Sequence, residues 1–90
     1  MSQLDHLVRQ ANRIAAFFEA LPGRDEALRN TADHLRKFWA PSLRLAMLEF
    51  IEAHPDGSHQ GLALTPLARD AIIEYAETLR PGVQAGEGRP

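Results

Sequence analysis

His54 and His59 bracket Pro55-Asp56-Gly57-Ser58, so Asp56 stands between two imidazoles as a third possible donor to a metal ion. Metal sites usually fix such donors with a helical His-x-x-x-His pair or with cysteines. The sequence has neither, and the loop reads as a loop rather than a metal centre. Acid–base chemistry fares no better. Glu49 and Glu52 lie three apart on one helix, which solubility explains. No Ser-His-Asp arrangement, Gly-rich phosphate loop or dinucleotide fingerprint is present. The absence of cysteine excludes a disulfide framework and any thiolate-held cluster in this chain. A chain of 90 residues also has little room for a concave active site. Catalysis is not expected of it.

The remaining chemistry is that of docking. The segment ADHLRKFWAPSLR, Ala32 to Arg44, sets Phe38 and the only tryptophan, Trp39, beside Arg36, Lys37 and Arg44. Trp39 lies on its helix's apolar stripe and reads as core. Phe38 is turned about 80° from that line at 100° per residue, and reads as an anchor for a partner. The three cations can donate charge-assisted hydrogen bonds to a partner's carboxylates. Alternatively they face water, with Asp33 placed to pair with Arg36 and Lys37. His34 lies in the same segment and adjoins its corner. Phe17 lies about 100° off its own stripe, and Leu45, Leu48 and Ile73 also fall away from the apolar lines of their helices. These off-stripe residues either wrap into one core or form a patch that mates with a partner.

Four helices must position these groups. Ser2 caps the first, whose apolar stripe runs through Leu4, Leu7, Val8, Ala11, Ile14, Ala15, Phe18 and Leu21 until Pro22-Gly23. The second starts near Asp25 and aligns Leu28, Ala32, Leu35 and Trp39. Ala40-Pro41 then forms a tight corner, since proline suits the first turn of a helix and not its interior. The third helix aligns Leu43, Met47, Phe50 and Ile51 up to the loop at His54. Thr65-Pro66 opens a fourth, burying Ala68, Ala71, Ile72, Tyr75 and Leu79, and Pro81-Gly82 stops it. No strand or internal repeat stands out. The expected fold is a compact all-α, four-helix domain over residues 1–80, with a disordered Gly-rich tail over 81–90.

Ten basic and twelve acidic residues leave a net charge of −2, which disfavours nucleic acid and anionic lipid as partners. Residues 24–44 hold five basic and three acidic groups, against two and six in 45–80. One end is therefore mildly basic and the other acidic, which orients docking. Asp5, His6 and Arg9 interrupt any N-terminal apolar run, so neither a signal peptide nor a membrane span is expected.

Together with LVRQANRIAAFFEALP (Leu7 to Pro22) and GLALTPLARDAI (Gly61 to Ile72), the segment ADHLRKFWAPSLR resembles the delta subunit of bacterial NAD-dependent formate dehydrogenase. The likeness spans roughly Leu4 to Tyr75, and its specific part is His-Leu-Arg-Lys-Phe-Trp-x-Pro. The polar insertion Ala53 to Gln60 and the tail after Arg80 depart from the pattern. The resemblance implies a cytoplasmic complex that oxidises formate. Its electrons pass from a molybdenum–pterin centre through iron–sulfur clusters to a flavin (FMN) and NAD, all held by larger subunits. It implies for this chain no cofactor of its own. It also implies an accessory role on the large molybdenum-bearing subunit, in assembly, cofactor loading or stability. The expected partner-binding residues are Phe17, Arg36, Lys37, Phe38, Arg44, Leu45 and Leu48. Two other readings stay open. One is a helix-turn-helix regulator that uses the Pro41 corner, with Arg44 near the recognition helix's start. The other is a homo-oligomeric helical scaffold, and an isolated subunit can also self-associate.

Overall fold

A computed structural model describes residues 2–81. The proposed tail lies outside the described residues from position 82 onward. Five helices and one small hairpin follow in order: α1 (Gln3–Glu19), α2 (Arg24–Phe38), α3 (Pro41–Ala53), β1 (Ser58–His59), β2 (Leu62–Ala63), α4 (Pro66–Glu74) and α5 (Ala76–Leu79). The starts of α1 and α4 are where side-chain chemistry places them. Ser2 Oγ accepts from Asp5 N at 3.0 Å, and Thr65 Oγ1 accepts from Ala68 N at 3.5 Å, with Pro66 in the first turn. α2 ends at Phe38, and the extended Trp39 and Ala40 lead directly into Pro41, which opens α3.

The helices α1, α2 and α4 contact one another, and each buries short side chains beside its larger ones. Ala11 and Ala15 on α1, Ala27 and Ala32 on α2, and Ala68 and Ala71 on α4 are all buried. Thr31 is buried among them, its hydroxyl donating to Ala27 O at 2.8 Å, so its polar group is satisfied within its own helix. Larger side chains come from every one of these helices: Leu7 and Val8 on α1, Leu28 and Leu35 on α2, Leu67 and Ile72 on α4. The helix α3, which packs on α1, α4 and α5, adds Met47, Leu48, Phe50 and Ile51 to the same cluster. Trp39 is in that cluster, as its place on the stripe predicts.

Three expectations need correction. The fourth helix is broken at Tyr75 (φ −107°, ψ 26°), so the chain has α4 and a one-turn α5 whose Leu79 tucks into the core. Leu21 lies beyond the end of α1, in the turn after Ala20, and is exposed rather than part of the stripe. The polar insertion is not plain loop. Ser58 pairs with Ala63 and His59 with Leu62 in an antiparallel hairpin, closed by Gln60 and Gly61, both at positive φ (50° and 84°). Two successive left-handed residues match the right-handed twist of short strands, which is why such turns close two-residue hairpins. Gly57 (φ 76°) precedes the hairpin. The positive φ favours glycine there, and a Cβ would also lie 3.2 Å from Arg69 Cγ, so that the arginine side chain would have to shift slightly.

Asn12 ties this hairpin to α1. Its Nδ2 donates to Ala63 O at 2.9 Å, and its Oδ1 accepts from Thr65 N at 2.8 Å, as a neighbouring strand would. Asn12→Ala leaves the Thr65 N–H and the Ala63 carbonyl without these partners. The expected cost is about 1–2 kcal/mol, read as a lower urea midpoint with faster amide exchange at Thr65. Asn12→Asp keeps an acceptor for Thr65 but sets a carboxylate oxygen against the Ala63 carbonyl, so at neutral pH it is expected to cost at least as much as Asn12→Ala.

Asp70 on α4 receives hydrogen bonds from Arg69 (2.9 Å) and from Arg24 at the start of α2. The Arg69 guanidinium is the main cause holding the Asp70 carboxyl below the usual carboxylate range, with Arg24 adding to it. A carboxyl whose folded pKa is depressed contributes stability above its unfolded value, and that stability is lost as pH falls through the folded value. Asp70→Asn is therefore expected to lower stability at neutral pH by about 0.5–1 kcal/mol, modest because the pair is part-exposed. The gap between variant and wild type is expected to close as urea titrations move below the carboxylate range. At the other end Arg80 pairs with Glu52 at 2.9 Å, joining the end of α5 to α3.

Candidate docking surface

The sequence-predicted residues divide into three groups. Phe17 and Phe38, on α1 and α2, are 74% and 70% exposed, as their angular positions predict. Leu45 on α3 and Ile73 on α4 are exposed too. Leu48 is not. It is 1% exposed and sits in the core, which removes it from any docking surface. The reason is the packing of α3. Because α1, α4 and α5 all contact it, its buried face is wider than one stripe. Arg44, Met47, Leu48 and Ile51 form a second line, at i, i+3, i+4 and i+7, beside Leu43, Met47, Phe50 and His54.

Phe17 and Phe38 belong to one continuous run of rings. Phe17 meets Phe18 edge-on with centroids 5.1 Å apart, and Phe18 meets His34 at 6.1 Å. His34 in turn meets Phe38 at 4.7 Å. Such edge and tilted arrangements suit the ring quadrupoles. Phe18 packs on the core from the inner side, so the patch is anchored to the fold and open outward at both ends. Arg13, Ile14, Phe17, Phe18 and His34 line a recess of about 320 Å³ on this surface. Phe18 and His34 also border a smaller, more polar recess with Asn30, Asp33, Lys37 and Phe38. His34 joins the patch through its i, i+4 spacing to Phe38 on α2. Arg13 escaped the sequence reading, although its position four residues before Phe17 was the signal.

The three expected cations have different surroundings. Arg36 and Lys37 both reach Asp33, at 3.2 and 3.7 Å, in exposed pairs of the kind that contribute little to stability. Arg44 is half-buried on α3, and its Nε is shielded from water with no hydrogen-bond partner. The loop histidines also find a structural use. His54 and His59 stack at 4.0 Å with their planes 17° apart, and Asp56 Oδ1 accepts from Ser58 N at 3.0 Å to hold the turn. Among the described residues no three His, Cys, Asp or Glu side chains are grouped to hold a metal ion. No described helix is long and apolar enough to cross a membrane. The exposed side of α3, the helix that a DNA-reading arrangement would place in the major groove, carries Glu49 and Glu52.

Fold and surface together define a small all-α module whose distinctive exterior is a ring-lined apolar patch with basic neighbours. The chain belongs to the family described as NADH-dependent formate dehydrogenase delta subunit FdsD, whose model matches residues 6–72. No curated protein matches the chain, and no solved structure does.

Proposed function

We propose that this chain is a non-catalytic accessory subunit of a cytoplasmic NAD-dependent formate dehydrogenase. It binds the large molybdenum-bearing subunit and supports that subunit's assembly, cofactor loading or stability. The observation that carries the reading is the ring patch of Phe17, Phe18, His34 and Phe38, which is rooted on the core through Phe18 and leaves Phe17 and Phe38 exposed. Large aromatic side chains left in water are characteristic of surfaces that are covered in an assembly. Family membership makes the other subunits of the enzyme the natural candidates for the cover. Without cysteine this chain offers no thiolate to a cluster. On this reading the molybdenum–pterin centre, iron–sulfur clusters, FMN and NAD sites belong to the partner subunits. Leu45 extends the proposed contact on α3, and Arg36, Lys37 and Arg44 supply hydrogen-bond donors at its margin.

Affinity purification of the tagged chain from its native host, grown with formate and molybdate, tests the reading. Co-purification of a molybdenum and flavin protein that reduces NAD with formate supports it. Recovery of the chain alone, or of the chain with DNA, refutes it.

A further inference from the structure

The ring patch continues into a basic strip along α1. His6, Arg9, Gln10, Arg13 and Phe17 are all exposed and lie on one side of the helix, where 6, 10, 13 and 17 follow at three- and four-residue spacing and Arg9 stands three after His6 and four before Arg13. His6, Arg9, Gln10 and Arg13 line one shallow recess, and Arg13 is the only formally charged group lining the apolar recess next to it. Neither recess is lined by a carboxylate. Arg9 is paired with Asp5 at 3.1 Å, whereas Arg13 has no ion pair among the described residues. In a chain with more acidic than basic residues, this is a local excess of positive charge beside an apolar hollow.

From this arrangement we infer that the α1 face from Arg9 to Phe17, with Phe18 and His34, receives an acidic amphipathic segment of the molybdenum-bearing subunit. The segment places one large apolar side chain in the recess bounded by Ile14, Phe17, Phe18 and His34, and carboxylates against Arg13 and Arg9. At 1.5 Å of rise per residue, Arg13 and Arg9 stand about 6 and 12 Å along α1 from Phe17. The matching carboxylates therefore lie about one and two helical turns from the apolar anchor if the segment is a helix. Charge complementarity selects this occupant, because an acidic strip steers and orients on a basic one while the apolar side chain supplies the desolvated centre. The inference rests on the proposed role as a subunit that binds the large subunit.

The test uses the full-length chain and the formate dehydrogenase complex purified from cells that lack it. Wild-type binding to that complex is measured first, and its absence overturns the subunit reading and this inference with it. With wild-type binding established, Phe17→Ser is expected to raise Kd about a hundredfold and Arg13→Glu about tenfold. Arg13→Glu is also expected to flatten the salt dependence of binding. Both positions are exposed, and circular dichroism checks that both variants keep the wild-type fold. A photo-crosslinking residue at position 17 then identifies the partner peptide. A peptide of the large subunit with Asp or Glu within two turns of an apolar residue supports the inference. Unchanged Kd in both variants overturns it and leaves the subunit reading standing. So does a crosslink to a neutral or basic peptide, to a second copy of this chain, or to nothing.

Discussion

Replacing Leu48 with aspartate is expected to unfold the domain. The side chain is 1% exposed and surrounded by the cluster that α3 builds with α1, α4 and α5. Truncating a buried leucine costs about 2–5 kcal/mol, and a carboxylate in the same space has no hydrogen-bond partner to offset the loss of water. A domain of this length has a total stability of about 5–13 kcal/mol. The substitution therefore removes most or all of it. Circular dichroism at room temperature should show little helix, or helix without a cooperative thermal transition. Leu48→Ala serves as the graded control. It should stay folded, with a stability lower by about 3 kcal/mol. A folded, cooperative Leu48→Asp protein would contradict the burial of this side.

The opposite outcome is expected at Phe38. Its ring is mostly in water and touches His34 on one side, so aspartate there removes little buried surface. The cost to folding is expected to stay within about 0.5 kcal/mol, as for surface positions in general. Binding is another matter. An aromatic anchor at the centre of an interface carries a large part of the affinity, and a carboxylate in its place must be desolvated without a partner. On the proposed function, Phe38→Asp is expected to weaken association with the large molybdenum-bearing subunit about a hundredfold while leaving the helical spectrum and melting midpoint near wild type. Kd from a titration monitored by fluorescence anisotropy, alongside a thermal melt, separates the two effects. Leu48 and Phe38 therefore make a pair: one substitution is expected to destroy the fold, the other only the proposed contact.

The contrast also marks what the sequence made legible. The stripes of α1 and α2, the caps at Ser2 and Thr65 and the proline starts of α3 and α4 follow from side-chain spacing and local hydrogen bonding. Those are local rules, and they hold here. Leu48 was misplaced because a single-stripe reading assumes that a helix is buried on one side, whereas α3 is apolar over most of its circumference and is covered by three neighbours. The break at Tyr75 carries no glycine or proline to announce it. The hairpin turn uses Gln60-Gly61, a weaker signal than Asn-Gly, and is held by Asn12 from a position 51 and 53 residues away in sequence. Pairing over that separation depends on the completed fold. The exposed phenylalanines were legible as off-stripe residues. Their union with Phe18 and His34 was not, since it depends on how α1 and α2 lie together.

The six buried alanines of α1, α2 and α4 bear on how such a chain can change over time. At each of them a bulkier side chain has nowhere to go, because close-packed interiors tolerate added methylenes poorly. The rings and cations on the outer side of α1 and α2 carry no such constraint. Substitution is therefore expected to be tolerated at the exterior, where the proposed contact can be retuned residue by residue without disturbing the interior that shapes the helices.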